Sequence, residues 1–173
     1  RASYATFSPV GNQVAFVESN NLFITDLNGN TTAVTEDGAT NQIINGSTDW
    51  VYEEELYLTK AFEWSPDGQH IAYYRFDESA VPEYNMQVWS DGALYPQDYR
   101  YKYPKAGEAN SVVQIHIYHV SNGEKTQADI GEETDIYIPR IRWTKDGSQL
   151  SIQRLNRWQN QLDLLHVDPI RGN

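Results

Sequence analysis

The run Thr48-Asp49-Trp50-Val51-Tyr52-Glu53-Glu54-Glu55-Leu56 holds the residues best suited to chemistry. Three adjacent carboxylates repel one another, and packing them against aromatics costs stability unless a cation completes the group. Surface glutamates usually keep company with lysines and small polar residues, so Trp50 and Tyr52 point to a pocket for a positive charge. A solvated acidic face is the plain alternative, and the run alone leaves both readings open. On a strand, consecutive side chains point to opposite faces. On a helical turn they fan by about 100°, so two neighbours can converge on one ligand. A short helical turn over Val51–Tyr57 is therefore expected. An ammonium has three donors, which two carboxylates and one further acceptor would satisfy. Acid–base work by a carboxylate pair needs groups about 5–9 Å apart across a substrate, and nothing in the sequence supplies the opposing wall.

Other chemistry is scarce. No Gly-x-Ser-x-Gly elbow, phosphate-cradling glycine loop or His-Glu-x-x-His helix is present. The absence of cysteine excludes zinc–thiolate sites and thiol nucleophiles. His116 and His119 are three apart, which on a strand puts them on opposite faces and makes them poor partners for one metal. Asp26, Asp163 and Asp168 end or flank strands and read as turn-capping residues, and Asp67 and Asp146 sit in hairpin turns.

The elements that must position the acidic run come as a repeat. Phe7-Ser8-Pro9-Val10-Gly11, Trp64-Ser65-Pro66-Asp67-Gly68 and Trp143-Thr144-Lys145-Asp146-Gly147 each join an aromatic strand end to a tight turn and an alternating strand. Pro presets φ in such turns and Gly accepts φ > 0 after it. Further alternating strands follow at Leu22–Leu27, Val113–Val120 and Leu162–Val167. Each repeat reads as an antiparallel meander of about four strands, the signature of a β-propeller blade. The repeats begin at residues 7, 64 and 143, intervals longer than the ~40–50 residues of a bare blade. The excess marks two insertions. One holds the acidic run, and the other is an aromatic, Pro-containing stretch, roughly Asp77 to Asn110. Three blades are fewer than the four to eight that close a ring, so the fold expected is all-β, a partial propeller of about three blades with a helical turn carrying the glutamates.

Composition agrees with this. Among 173 residues, 12 Tyr and 5 Trp favour strands over helices. No apolar run approaches the ~18 residues of a membrane span. A net charge of −11 argues against nucleic acid and anionic membranes as partners and suits a cationic ligand. The start at Arg1 without Met, and the loop-like end Asp168–Asn173, read as a piece of something longer.

On Asp49-Trp50-Val51-Tyr52-Glu53-Glu54-Glu55, Trp64-Ser65-Pro66-Asp67-Gly68, and Tyr103-Pro104-Lys105-Ala106-Gly107 followed by Asn110, the chain resembles the N-terminal propeller domain of the dipeptidyl peptidase IV family. The likeness covers essentially the whole chain. The first motif is highly specific, whereas the blade repeats would fit many propellers. The resemblance implies residues 1–173 to be a fragment of an eight-bladed propeller whose α/β-hydrolase partner domain is absent. The parent would be a serine exopeptidase releasing N-terminal dipeptides with Pro or Ala at the second position. By position in the motif, Glu54 and Glu55 would bind the substrate's free α-amino group, with Glu53 less direct and Asp49, Trp50 and Tyr52 supporting them. An α-amine has a pKa near 8 and is mostly protonated at neutral pH. Anchoring it would set the dipeptide length by positioning rather than by bond chemistry.

The same resemblance makes Val81–Lys105 a dimerisation arm, with Tyr84, Trp89, Tyr95, Tyr99, Tyr101 and Tyr103 fitting an interface as well as a core edge. It implies a homodimer and an extracytoplasmic location, periplasmic or at the cell surface, in a bacterium, and no cofactor or metal is expected. The family's propeller arginine would lie upstream of Arg1, and the catalytic Ser, Asp and His in the other domain, so this piece by itself should not hydrolyse peptides. Two other readings stay open: a propeller that binds protein partners without catalysis, and, less well supported by the ligand pattern, an acidic calcium loop.

Overall fold

A computed structural model describes residues 1–173. The chain is all-β except for one short helix, and three antiparallel sheets follow one another in sequence. The first sheet is a four-stranded meander of β1 (Ser3–Phe7), β2 (Gln13–Glu18), β3 (Asn21–Asp26) and β4 (Thr31–Ala33). The second contains β5 (Ile43–Asn45), β6 (Phe62–Trp64), β7 (His70–Asp77), β10 (Val112–His119) and β11 (Lys125–Gln127). The third contains β12 (Ile136–Trp143), β13 (Leu150–Asn156) and β14 (Leu162–Val167). Between β7 and β10, β8 (Glu83–Val88) and β9 (Gln97–Lys102) pair only with each other and form a hairpin arm.

The three predicted turns are built alike. The amides of Gly11, Gly68 and Gly147 donate to the carbonyls of Ser8, Ser65 and Thr144, at 2.9, 2.9 and 3.0 Å. All three glycines have positive φ. In each turn the Ser or Thr hydroxyl also accepts from the amide five residues on, namely Gln13, His70 and Gln149. One local code thus starts each sheet's first hairpin.

The middle sheet is sandwiched, and its sequence shows it. Along β7, Ile71 and Tyr73 pack with Val17, Leu22 and Ile24 of the first sheet, while Ala72, Tyr74 and Phe76 pack with Ile138, Ile141 and Ile152 of the third. Burial on both faces explains why this strand is almost continuously apolar. The outer sheets bury one face each, leaving Phe7, Leu162 and Leu164 exposed.

Two details depart from the repeat as read. The third sheet has three strands rather than four, and the middle sheet's first strand is split. Both β5 and β6 pair with β7, against Arg75–Asp77 and Ile71–Tyr73 respectively. The chain between them leaves the sheet and returns, and that excursion carries the acidic run.

Candidate functional site

The excursion is closed at its neck by backbone. Gly46 N donates to Tyr74 O, Ala61 N to Gly46 O and Tyr74 N to Ala61 O, each at 2.9–3.0 Å. Ser47 and Lys60 bridge one step further out, and Thr48 Oγ1 donates to Leu58 O at 2.8 Å. Gly46 has φ +74°, and a Cβ there would meet Val17 and Leu22 at 3.0–3.3 Å, so glycine alone lets the chain leave the sheet at this point.

Beyond the neck lies α1 (Trp50–Glu54). It starts where it does because Asp49 is a helix-capping residue type, and its Oδ1 accepts from Tyr52 N at 3.0 Å. Isolated, five residues would not hold a helix; packing holds it. Val51 and Tyr52 join the core between the second and third sheets. Tyr52, 2% exposed, lies edge-on to Phe76 at 4.7 Å. Its hydroxyl accepts from Ile138 N of β12 at 2.8 Å. Arg140, also on β12, donates to Leu56 O at 3.0 Å. The excursion is thus pinned by the sheet it leaves and by the next one. The helix is shorter than the expected Val51–Tyr57: Glu55 is its C-cap, and Tyr57 takes a left-handed φ of 54° with its ring exposed.

Glu53, Glu54 and Glu55 are all exposed, and none takes part in an ion pair. Glu53 is in the first turn, where a carboxylate suits the free amides. Glu54 and Glu55 close the helix, where unpaired carbonyls gather and no basic residue compensates them. Two carboxylates and outward carbonyls at one helix end form an acceptor cluster that suits a donor-rich cation. Tyr4, at a bulge in β1, feels the charge of Glu53; burial and that charge together raise its pKa. Beside Glu55, a cavity of about 400 Å³ is lined by Trp50, Leu56, Tyr103, Tyr137 and Arg157.

Beneath the helix lie two buried carboxyls. Asp49 is 6% exposed, and burial raises its pKa against the pull of its hydrogen bonds from Ser111 and Tyr52. Glu78, also 6% exposed, is pushed up to about 7 by burial and then by the Asp49 charge, with Lys102 opposing.

The other sequence candidates lie apart from this site. Tyr84, Trp89, Tyr95 and Tyr99 are exposed on the hairpin arm, whereas Tyr101 and Tyr103 are half-buried towards its root. His116 and His119 do face opposite ways: His116 stacks on Tyr73, and His119 Nδ1 lies 2.9 Å from His70 Nδ1. No three His, Cys, Asp or Glu side chains are grouped to hold a metal. Asp26, Asp67, Asp146 and Asp168 accept backbone amides in turns. Asp163 does not; it lies within β14, opposite Arg154. Sequence reasoning missed Ser111, Ile138 and Arg140, which hold the helix from 62 to 86 residues away. No local pattern marks them.

Fold and site together define a β-propeller segment whose middle blade carries an acidic helix on a split first strand. A family model described as "Dipeptidyl peptidase IV (DPP IV) N-terminal region" matches residues 1–173. "Probable dipeptidyl peptidase 4" of Aspergillus flavus is 36% identical over 173 residues, covering 95% of this chain and 22% of the relative. Dipeptidyl peptidase 4 of Trichophyton rubrum is 34% identical over 172 residues, with 95% and 22% covered. The crystal structure of Porphyromonas gingivalis dipeptidyl peptidase 4 superposes with a TM-score of 0.93 at 45% identity, covering 98% of this chain and 24% of that one. The chain belongs to the dipeptidyl peptidase IV family and corresponds to part of its N-terminal propeller region. It spans less than a quarter of the length of these relatives.

Proposed function

We propose that residues 1–173 are the substrate-anchoring segment of the propeller domain in a serine exopeptidase that removes N-terminal dipeptides, Xaa-Pro or Xaa-Ala. Glu54 and Glu55 bind the protonated α-amine of the peptide, and Glu53 contributes charge from further back. The observation that carries this reading is a pair of exposed, unpaired glutamates on a helix end that two blades hold rigid. Propeller blades surround a central channel, and the further blades would cover Phe7, Leu162 and Leu164. The bond chemistry belongs to a separate α/β-hydrolase domain. The arm residues Tyr84, Trp89, Tyr95 and Tyr99 serve a homodimer interface, where aromatic anchors are favoured. The enzyme acts outside the cytoplasm. No helix here is long and apolar enough to cross a membrane.

In the full-length enzyme, Glu54→Gln and Glu55→Gln each lower kcat/KM for free-amine substrates by about tenfold or more, as loss of a charge-assisted hydrogen bond worth ~1.5–3 kcal/mol requires. Unchanged kinetics in both variants rule the anchoring role out.

A further inference from the structure

The two insertions of the middle blade meet at one carboxylate. Asp49 Oδ1 accepts from Tyr52 N and so caps the glutamate helix, while Asp49 Oδ2 accepts from Ser111 Oγ at 2.6 Å. Ser111 is buried where the arm's returning limb joins β10. One side chain thus satisfies a donor in each insertion.

A second contact runs parallel to the first. Trp50, the first helical residue, meets Tyr103 edge-on, with ring centroids 4.4 Å apart. Tyr103 directly follows β9, and its amide donates to Pro82 O on the outgoing limb at 2.9 Å. Lys102 Nζ ties the two limbs again, donating to Val81 O at 2.8 Å and to Ser79 O at 3.1 Å. The arm root is therefore a closed unit, and the helix rests on it at both its cap and its first residue.

We infer that the arm root positions the glutamate helix, with Ser111 and Tyr103 as positioning residues that fix where Glu54 and Glu55 meet the substrate's amine. This rests on the reading that those glutamates anchor the amine. A five-residue helix is little more than one turn and keeps its shape only through its packing, so its last residues lie close enough to the cap to follow a change in how the cap is held. Misplacement of charge-assisted hydrogen bonds by fractions of an ångström weakens them. How the arm is seated, including against a second copy of the protein, then sets how firmly the amine is held.

The test measures an affinity ratio in the full-length enzyme. A prolyl nitrile bearing a free-amine residue is compared with its des-amino analogue, which keeps every other contact. Ser111→Ala and Tyr103→Leu are expected to cut the free-amine preference about three- to tenfold while leaving des-amino affinity unchanged. Ser111→Thr, which keeps the hydroxyl, restores it. Equal losses for both ligands, or a lower melting temperature with the preference intact, would overturn the inference. If Ser111→Ala does not fold, Tyr103→Leu decides alone. Glu54→Gln and Glu55→Gln are run beside them. Should these lose the preference while Ser111→Ala and Tyr103→Leu keep it, only the positioning role fails. Should the glutamate variants keep it too, the anchoring role fails.

Discussion

The middle blade carries two insertions, and they have opposite designs. The acidic excursion between β5 and β6 is short, closed by backbone at its neck, and buries Val51 and Tyr52 in the core between two blades. Its glutamates, Tyr57 and Thr59 are left out in solvent. The arm between β7 and β10 pairs with nothing but itself and exposes Tyr84, Met86, Val88, Trp89 and Tyr99 along its length. An isolated two-stranded hairpin is marginally stable, so the order of the arm comes from its root and from whatever it contacts. The difference teaches what each can do. A pinned helix end can hold charges to the tolerance that recognition of a small cation demands, whereas a projecting apolar hairpin can give up area to a large partner.

Breaking the pinned region should have the largest effect. Tyr52→Ala removes a buried ring packed on Phe76 and leaves Ile138 N without its acceptor. Such losses cost about 3–5 kcal/mol, so the melting transition of the propeller should fall by well over 5 °C, and differential scanning calorimetry will show it.

At the junction of the two regions the effect should be smaller and should depend on pH. The carboxyl of Glu78 is raised from 4.5 to about 7 in the folded protein. Between those values the native state holds one more proton than the unfolded chain, so stability falls as pH rises through that window. Glu78→Gln should therefore melt a few degrees above the parent at pH 8 and level with it near pH 4. A difference of the same size at both pH values contradicts the assignment.

Least change in stability is expected from the arm. Trp89→Ala with Tyr95→Ala removes exposed rings, so melting should shift by only about 0.5 kcal/mol equivalent. Under the proposed interface role of the arm, sedimentation of the full-length enzyme at falling concentration should nevertheless show weaker self-association. An unaltered dimer would assign the arm some other partner.

The sequence showed the blades better than the site's supports. Gly in the turns at Ser8, Ser65 and Thr144, preceded by Pro in the first two, acts within five residues, so the local code was legible, as were the alternating strands at Leu22–Leu27, Val113–Val120 and Leu162–Val167. The split first strand was not, because β5 and β6 have three residues each, too few for a strand period to stand out. Asp163 was misread as a turn residue because only pairing across the sheet, opposite Arg154, places it inside a strand. The glutamates stood out because three acids beside two aromatics is a local oddity. Ser111, Ile138 and Arg140 hold them in place through contacts that form only when the blades close on each other.

The central claim is that Glu54 and Glu55 grip a peptide's amine together. A crystal structure of the full-length enzyme with a bound free-amine dipeptide tests it most directly. The claim predicts the α-amino nitrogen about 2.7–3.2 Å from a carboxylate oxygen of each residue. An amine lying more than about 4 Å from both, or bound to other acceptors, would contradict it.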